Sequence, residues 1–210
     1  MKSKIIGYAI GPVGSGLLGL VTLPILLWFY SAEDIGRISM LQVISSFSVM
    51  LFCLGMDQAY VREYYESKNT PKLFIHSIFL GFIFITLSYG ILFLASPTLL
   101  SKWLYGISSK TLSALSITCF ILALISRFLS LILRMEERAV AYSMSQLLPK
   151  VLFLVFILSS LLLSAKKDTL NIILAHTLAV FSTFIIFAWN TRKEWINSFY
   201  QNLDKKIIKK

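Results

Sequence analysis

Four stretches of this sequence carry no Asp, Glu, Lys or Arg: Ile5–Ala32, Ile38–Met56, Leu73–Ser101 and Thr169–Thr191. A helix crosses the roughly 30 Å hydrocarbon core of a bilayer with about 20 mostly apolar residues, so each stretch is a span or close to one. Thr111–Ser126 and Val151–Ala165 are shorter, and each reaches span length only by taking one basic residue, Arg127 or Lys150, into the membrane. Only 14% of the chain is charged, against about a quarter of an ordinary soluble domain. The fold class that follows is all-α transmembrane, a six-helix membrane bundle with nothing left over for a soluble domain.

The predicted spans are 5–30, 35–60, 73–95, 112–133, 141–164 and 170–189, and 191–210 is a basic cytoplasmic tail or linker. The short connectors between them force antiparallel neighbours. The N-terminus has a basic start and an apolar run, but the run is too long for a signal-peptide core and no polar mature domain follows, so it is the first span. Orientation follows from the retention of Lys and Arg in cytoplasmic loops. With the N-terminus inside, Lys2, Lys4, Arg62, Lys68, Lys72, Arg134, Arg138 and the basic tail face the cytoplasm, against Arg37, Lys102, Lys110, Lys166 and Lys167 outside. Both termini are then cytoplasmic. The formal charge of +10 has this topological cause, and no nucleic-acid partner is expected. Tyr60, Tyr64 and Tyr65 at one boundary, and Trp28, Phe29 and Tyr30 at another, fit interfacial anchoring among membrane lipids.

The first span has small residues every fourth position, Gly7, Gly11, Ser15 and Gly19, which form a narrow groove on one helix face. Such a groove lets a second helix approach closely. Pro12 and Pro24 interrupt its backbone bonding. The pattern serves either tight static packing or a hinge that moves during a transport cycle.

The charges inside the membrane are the candidate functional residues. Arg127 lies seven residues before Arg134, roughly 10 Å into the hydrocarbon. At helical spacing Arg127, Arg134 and Arg138 share one face, with Ser116 and Ser113 further along it, so this face is cationic near the cytoplasm and hydroxyl-bearing beyond. Lys150 lies about 14 Å into the fifth span, beside Gln146 and Pro149. If both cations face inward they form one patch in a cavity open to the cytoplasm, suited to a phosphate, a pyrophosphate or an acidic sugar. The plainer alternative is that both snorkel to the headgroups. Asp57 is the one acid well within a span, near the inner end of the second helix with Arg62 close by, and serves an ion pair or ion coupling. Cys53 and Cys119 lie in apolar runs at opposite ends of their spans, and His76 and His176 begin spans on opposite sides, so neither a disulfide nor a metal site is expected. No nucleophile with a base, phosphate-binding glycine loop or carboxylate pair is present, so neither an enzyme nor a cofactor is expected.

The first span ends GSGLLGLVTLPILLWFYSAEDIGRISML and the second closes on LGMDQAYVREYYE. In these motifs the chain resembles the polysaccharide flippases of the multidrug/oligosaccharidyl-lipid/polysaccharide exporter superfamily, specifically the O-antigen (Wzx-type) branch. The resemblance covers the whole chain by topology and about the first third by motif. It implies a V-shaped transporter of two six-helix lobes with a cationic cavity between them. Such a transporter moves an undecaprenyl-pyrophosphate-linked oligosaccharide across the bacterial inner membrane by alternating access. Ion coupling is implied, and a polysaccharide polymerase and a chain-length regulator are implied as partners. Here the sequence stops after six spans, so it reads as the N-terminal lobe, with WINSFYQNLDKKIIKK as the linker toward a second. Two other readings stay open: the membrane subunit of a polysaccharide ABC exporter, and a scaffold for polysaccharide assembly.

Overall fold

The computed structural model describes residues 2–67, 69–163, 168–193 and 195–196, with side chains from residue 6 onward. Most of the predicted tail therefore lies outside the described residues. The helices are α1 Lys2–Phe29, α2 Ala32–Cys53, α3 Met56–Glu63, α4 Thr70–Ala95, α5 Leu99–Tyr105, α6 Lys110–Met135, α7 Ala139–Leu162 and α8 Thr169–Asn190. Among the described residues there is no strand. Six of the helices, all but α3 and α5, are long and apolar enough to cross a membrane, so the chain is a multi-pass membrane protein with the six-helix architecture that the charge-free stretches require.

Local chemistry sets the helix starts. Ser31, Asn69, Ser109 and Asp168 each accept a backbone N–H from the first turn that follows, of α2, α4, α6 and α8 respectively. Each satisfies a donor that the helix itself leaves unpaired. The YSAED segment of the family-like motif is thus a helix cap.

Two connections depart from the sequence expectation. The second span does not continue to residue 60: Leu54 and Gly55 adopt positive φ of 50° and 73°, which ends α2 at Cys53. An L-residue visits that region at a cost of order 1 kcal/mol, whereas Gly55 enters it freely. Asp57 therefore sits on the separate short helix α3 and not within the span. The connector after α4 is also no simple loop. It folds into α5, tied down where Ser113 Oγ accepts from Ser101 N–H at 3.0 Å and Ser101 Oγ from Ser109 N–H at 3.0 Å.

Helix α6 is the centre of the bundle, packed between α2, α4 and α8, with Phe120, Leu124, Phe128, Ile132 and Leu133 fully buried. Lipid tails are as apolar as these side chains, so close packing and hydrogen bonds must hold the helices together. The small-residue face of α1 does this against α7. A Cβ on Gly7 would stand 3.0 Å from Ala139 Cβ, and one on Gly11 only 2.9 Å from Ser143 Cα. Ser143 Oγ also donates to the Gly7 carbonyl. Helix α1 runs unbroken through Pro12 and Pro24. The tightest approach is elsewhere, at Gly81 of α4, where a Cβ would meet the Phe52 carbonyl oxygen of α2 at 2.3 Å. The aromatic boundaries divide: Trp28 and Tyr65 are exposed, while Tyr30 and Tyr60 are buried in the core.

Candidate substrate cleft

Ser39, Gln42 and Ser46 of α2 recur at intervals of three and four, so they share one helix face. Helix α1 leans on α7 and touches α2 little, which leaves this polar face open. It lines two clefts in succession.

The first cleft has a volume of 160 Å³ between α1, α2 and α7, with Thr22, Ser39, Gln42 and Lys150 as its polar lining. Lys150 is exposed halfway along α7. Its Nζ donates to the Ser15 carbonyl of α1 at 2.7 Å and lies 3.9 Å from where a Cβ on Gly19 would be. The absent side chain at Gly19 thus gives the ammonium room. Among the described residues no carboxylate pairs with Lys150, so its charge is met by a backbone dipole alone.

The second cleft is larger, 580 Å³, and is bounded by α2, α3 and α6, with Ser45, Ser46, Asp57, Gln58 and Arg127 among its walls. Arg127 Nη2 donates to Asp57 Oδ2 at 3.0 Å, a pair whose side chains are 46% and 16% exposed. Asp57 is aimed by the turn at Leu54–Gly55, and its Oδ1 accepts the Gln58 N–H at 2.9 Å. Beyond the pair lies a vestibule of 230 Å³, which shares Asp57, Gln58 and Arg127 with the second cleft and adds Arg62 and Arg134. The ion pair is therefore a partition: vestibule cations on one side, the hydroxyl-lined cleft on the other.

The opposite end of the bundle holds a different cluster. Arg37 Nε donates to the Tyr105 carbonyl at 2.9 Å, Nη1 to Thr169 Oγ1 at 2.8 Å and to Asp34 Oδ1 at 3.3 Å, and Nη2 to Glu33 Oε1 at 2.6 Å. Asp34 also accepts from Thr169 Oγ1, and from Ser31 Oγ at 2.7 Å. These bonds join the start of α2, the end of α5 and the start of α8. Tyr105 lies beneath, with its hydroxyl 2.6 Å from Ser116 Oγ. Burial pushes its phenol up to about 12, so it stays neutral at physiological pH.

Several predicted groupings change. Arg127 and Lys150 do not share one patch, since they line two separate clefts that follow one another along one face of α2, each with one cation. Asp57 is joined to Arg127, while Arg62 is exposed and lies 3.6 Å from Glu63. Arg134 stays on the Arg127 side, but Arg138 leaves it. Helix α6 ends at Met135 and Glu137 takes a positive φ of 57°, so helical spacing no longer carries the stripe to Arg138. Ser113 and Ser116 do lie along α6 from Arg127, yet both are buried under α5 and are not a wet surface. Both cysteines are buried free thiols. His76 Nδ1 lies 2.7 Å from the Lys72 carbonyl, whereas His176 packs against Phe153. Sequence reasoning missed Arg37, which it counted only as an outer charge, and Gly81, which belongs to no small-residue repeat.

No curated protein and no solved structure matches the chain. A model of the family described as polysaccharide biosynthesis protein does match, over residues 2–210. With six membrane helices and a match along nearly its whole length, the chain belongs to the polysaccharide biosynthesis protein family, the family of the Wzx-type polysaccharide flippases.

Proposed function

We propose that this chain forms one lobe of a flippase for a lipid-linked oligosaccharide, with the polar face of α2 as its wall of the substrate path. The family supports polysaccharide-related membrane transport. The finer reading, an undecaprenyl-pyrophosphate-linked unit moved across the bacterial inner membrane by alternating access, is what the resemblance to the Wzx-type flippases implies, and the cations and hydroxyls of the clefts support its pyrophosphate and sugars. An arginine in the bilayer interior costs about 2.5–3.5 kcal/mol on insertion scales, so a half-open one marks a path for charge or water. The observation that carries the proposal is the half-exposed Arg127 in a 580 Å³ cleft, followed along α2 by Lys150, which has no acidic partner among the described residues. A pyrophosphate reaching the vestibule would meet Arg134 and Arg62, then Arg127. There it competes with Asp57, the anion already seated. Ser46, Gln42 and Ser39 offer hydrogen bonds to sugar hydroxyls as the unit moves toward Lys150. In this reading both termini face the cytoplasm, a second lobe closes the cavity, and the polymerase and chain-length regulator act on the delivered unit.

The test is Arg127→Ala and Lys150→Ala in a strain whose surface polysaccharide depends on this gene. Loss of surface polymer with lipid-linked precursor accumulating, at unchanged protein level, is the expected result. Normal polymer in both variants would remove the clefts from the path.

A further inference from the structure

Arg138, detached from the cleft, belongs to a second basic site. It lies at the α6–α7 turn, where Nη1 donates to Glu136 Oε2 at 3.2 Å and Nη2 to Asn190 Oδ1 on α8. The Arg192 guanidinium carbon stands 4.5 Å from the centroid of the Trp189 ring. Together with Ile186 and Lys193 these residues bound a hollow of 520 Å³ at the last turn of α8.

We propose that this hollow is a headgroup site for an anionic phospholipid. Four features lead there. Among the described residues Arg138, Arg192 and Lys193 line it, and the Glu136 carboxylate engages Arg138. Two guanidinium groups are already held in place, one by Asn190 and one over Trp189, so seating an anion orders few further side chains. Arginine carries five N–H donors, and Arg138 spends two on these neighbours, which leaves donors for a phosphate. Finally, the polar rim sits above exposed Ile186 and Trp189 where a membrane helix ends. That is headgroup level, the depth at which tryptophan anchors and basic pockets between helices take lipid phosphates. A free phosphate would use only the rim. A lipid also covers the apolar floor with its glycerol and upper acyl chain.

The site is separate from the clefts, so its fate does not depend on the transport reading. The experiment is native mass spectrometry and thermal unfolding of the full chain in detergent, with phosphatidylglycerol, phosphatidylcholine or inorganic phosphate added. Phosphatidylglycerol should be retained and should raise the unfolding temperature, while phosphatidylcholine and phosphate should do neither at equal concentration. Arg192→Gln with Lys193→Gln should weaken phosphatidylglycerol retention by about 25-fold, from roughly a factor of five per removed charge near the surface. The charge-keeping pair Arg192→Lys with Lys193→Arg should restore it, and Arg127→Gln should leave it unchanged. Equal retention of the two lipids, or undiminished retention in the Gln pair, would overturn the site. Equal stabilisation by inorganic phosphate would make it a free-anion site and overturn the lipid assignment.

Discussion

The two ends of this bundle each hold an arginine–aspartate pair, built in opposite ways. Arg37 and Asp34 are 19% and 11% exposed, and the guanidinium is engaged at Nε, Nη1 and Nη2 by a carbonyl, a hydroxyl and two carboxylates. Arg127 is 46% exposed and makes one bond, to Asp57. An arginine with four of its five donors spent has little to offer a ligand, and its bonds hold three helices in register. An arginine with free donors beside a cleft exchanges its partner for a better anion at small cost, because a pair whose arginine is half exposed contributes little to stability. The same two residue types therefore make a clamp at one end and a contact point at the other, and the difference lies in how many donors remain free.

The comparison breaks most easily at the clamp. Arg37→Ala leaves the buried Asp34 without its counter-charge, held by the Ser31 and Thr169 hydroxyls alone, and should cost about 3 kcal/mol of stability, read as a large fall in unfolding temperature in detergent. Next comes packing. Gly81→Ala forces a Cβ onto the Phe52 carbonyl, and Gly11→Ala onto the Ser143 backbone. Each should cost about 1–3 kcal/mol, with Gly81 the worse of the two. A Cβ at Gly16 meets nothing within 4 Å, so Gly16→Ala should leave stability unchanged. If Gly16→Ala destabilises as Gly81→Ala does, the close approaches are not what holds the helices. Smaller again is Arg127→Gln, expected to change stability by about 1 kcal/mol or less while transport is lost. Asp57→Asn sharpens the contrast, because removing the seated competitor should tighten pyrophosphate binding to the purified chain, measured calorimetrically. Least of all, the clamp should show no pH dependence through Tyr105 below about pH 10. Its folded-state pKa is raised to about 12, so its contribution is whole below the unfolded value and is lost only as pH rises toward the folded one.

The fold was legible because a bilayer imposes a coarse rule: charge-free runs of sufficient length become spans, and Ile5–Ala32 or Thr169–Thr191 admit no other reading. The stripe Gly7–Gly11 announced a close helix contact, though only the structure names α7 as its partner. What the sequence concealed are the breaks. Leu54–Gly55 lies inside an uninterrupted apolar run, and hydropathy does not register a change of φ. That two-residue turn decides where Asp57 points, and the turn at Glu137 likewise takes Arg138 out of the stripe. Arg37 read only as an outer-side charge because its partners, Tyr105 and Thr169, are 68 and 132 residues away. Long-range pairing of that kind leaves no local pattern to read.

The central claim is that Arg127 works on a passing anion while Arg37 works on the fold. It is tested most directly by measuring surface polysaccharide and membrane protein level together for Arg127→Gln and Arg37→Gln in the same strain. Arg127→Gln should keep a normal protein level and lose the polymer, while Arg37→Gln should lose the protein and the polymer in proportion. Normal polymer per molecule in Arg127→Gln would contradict it.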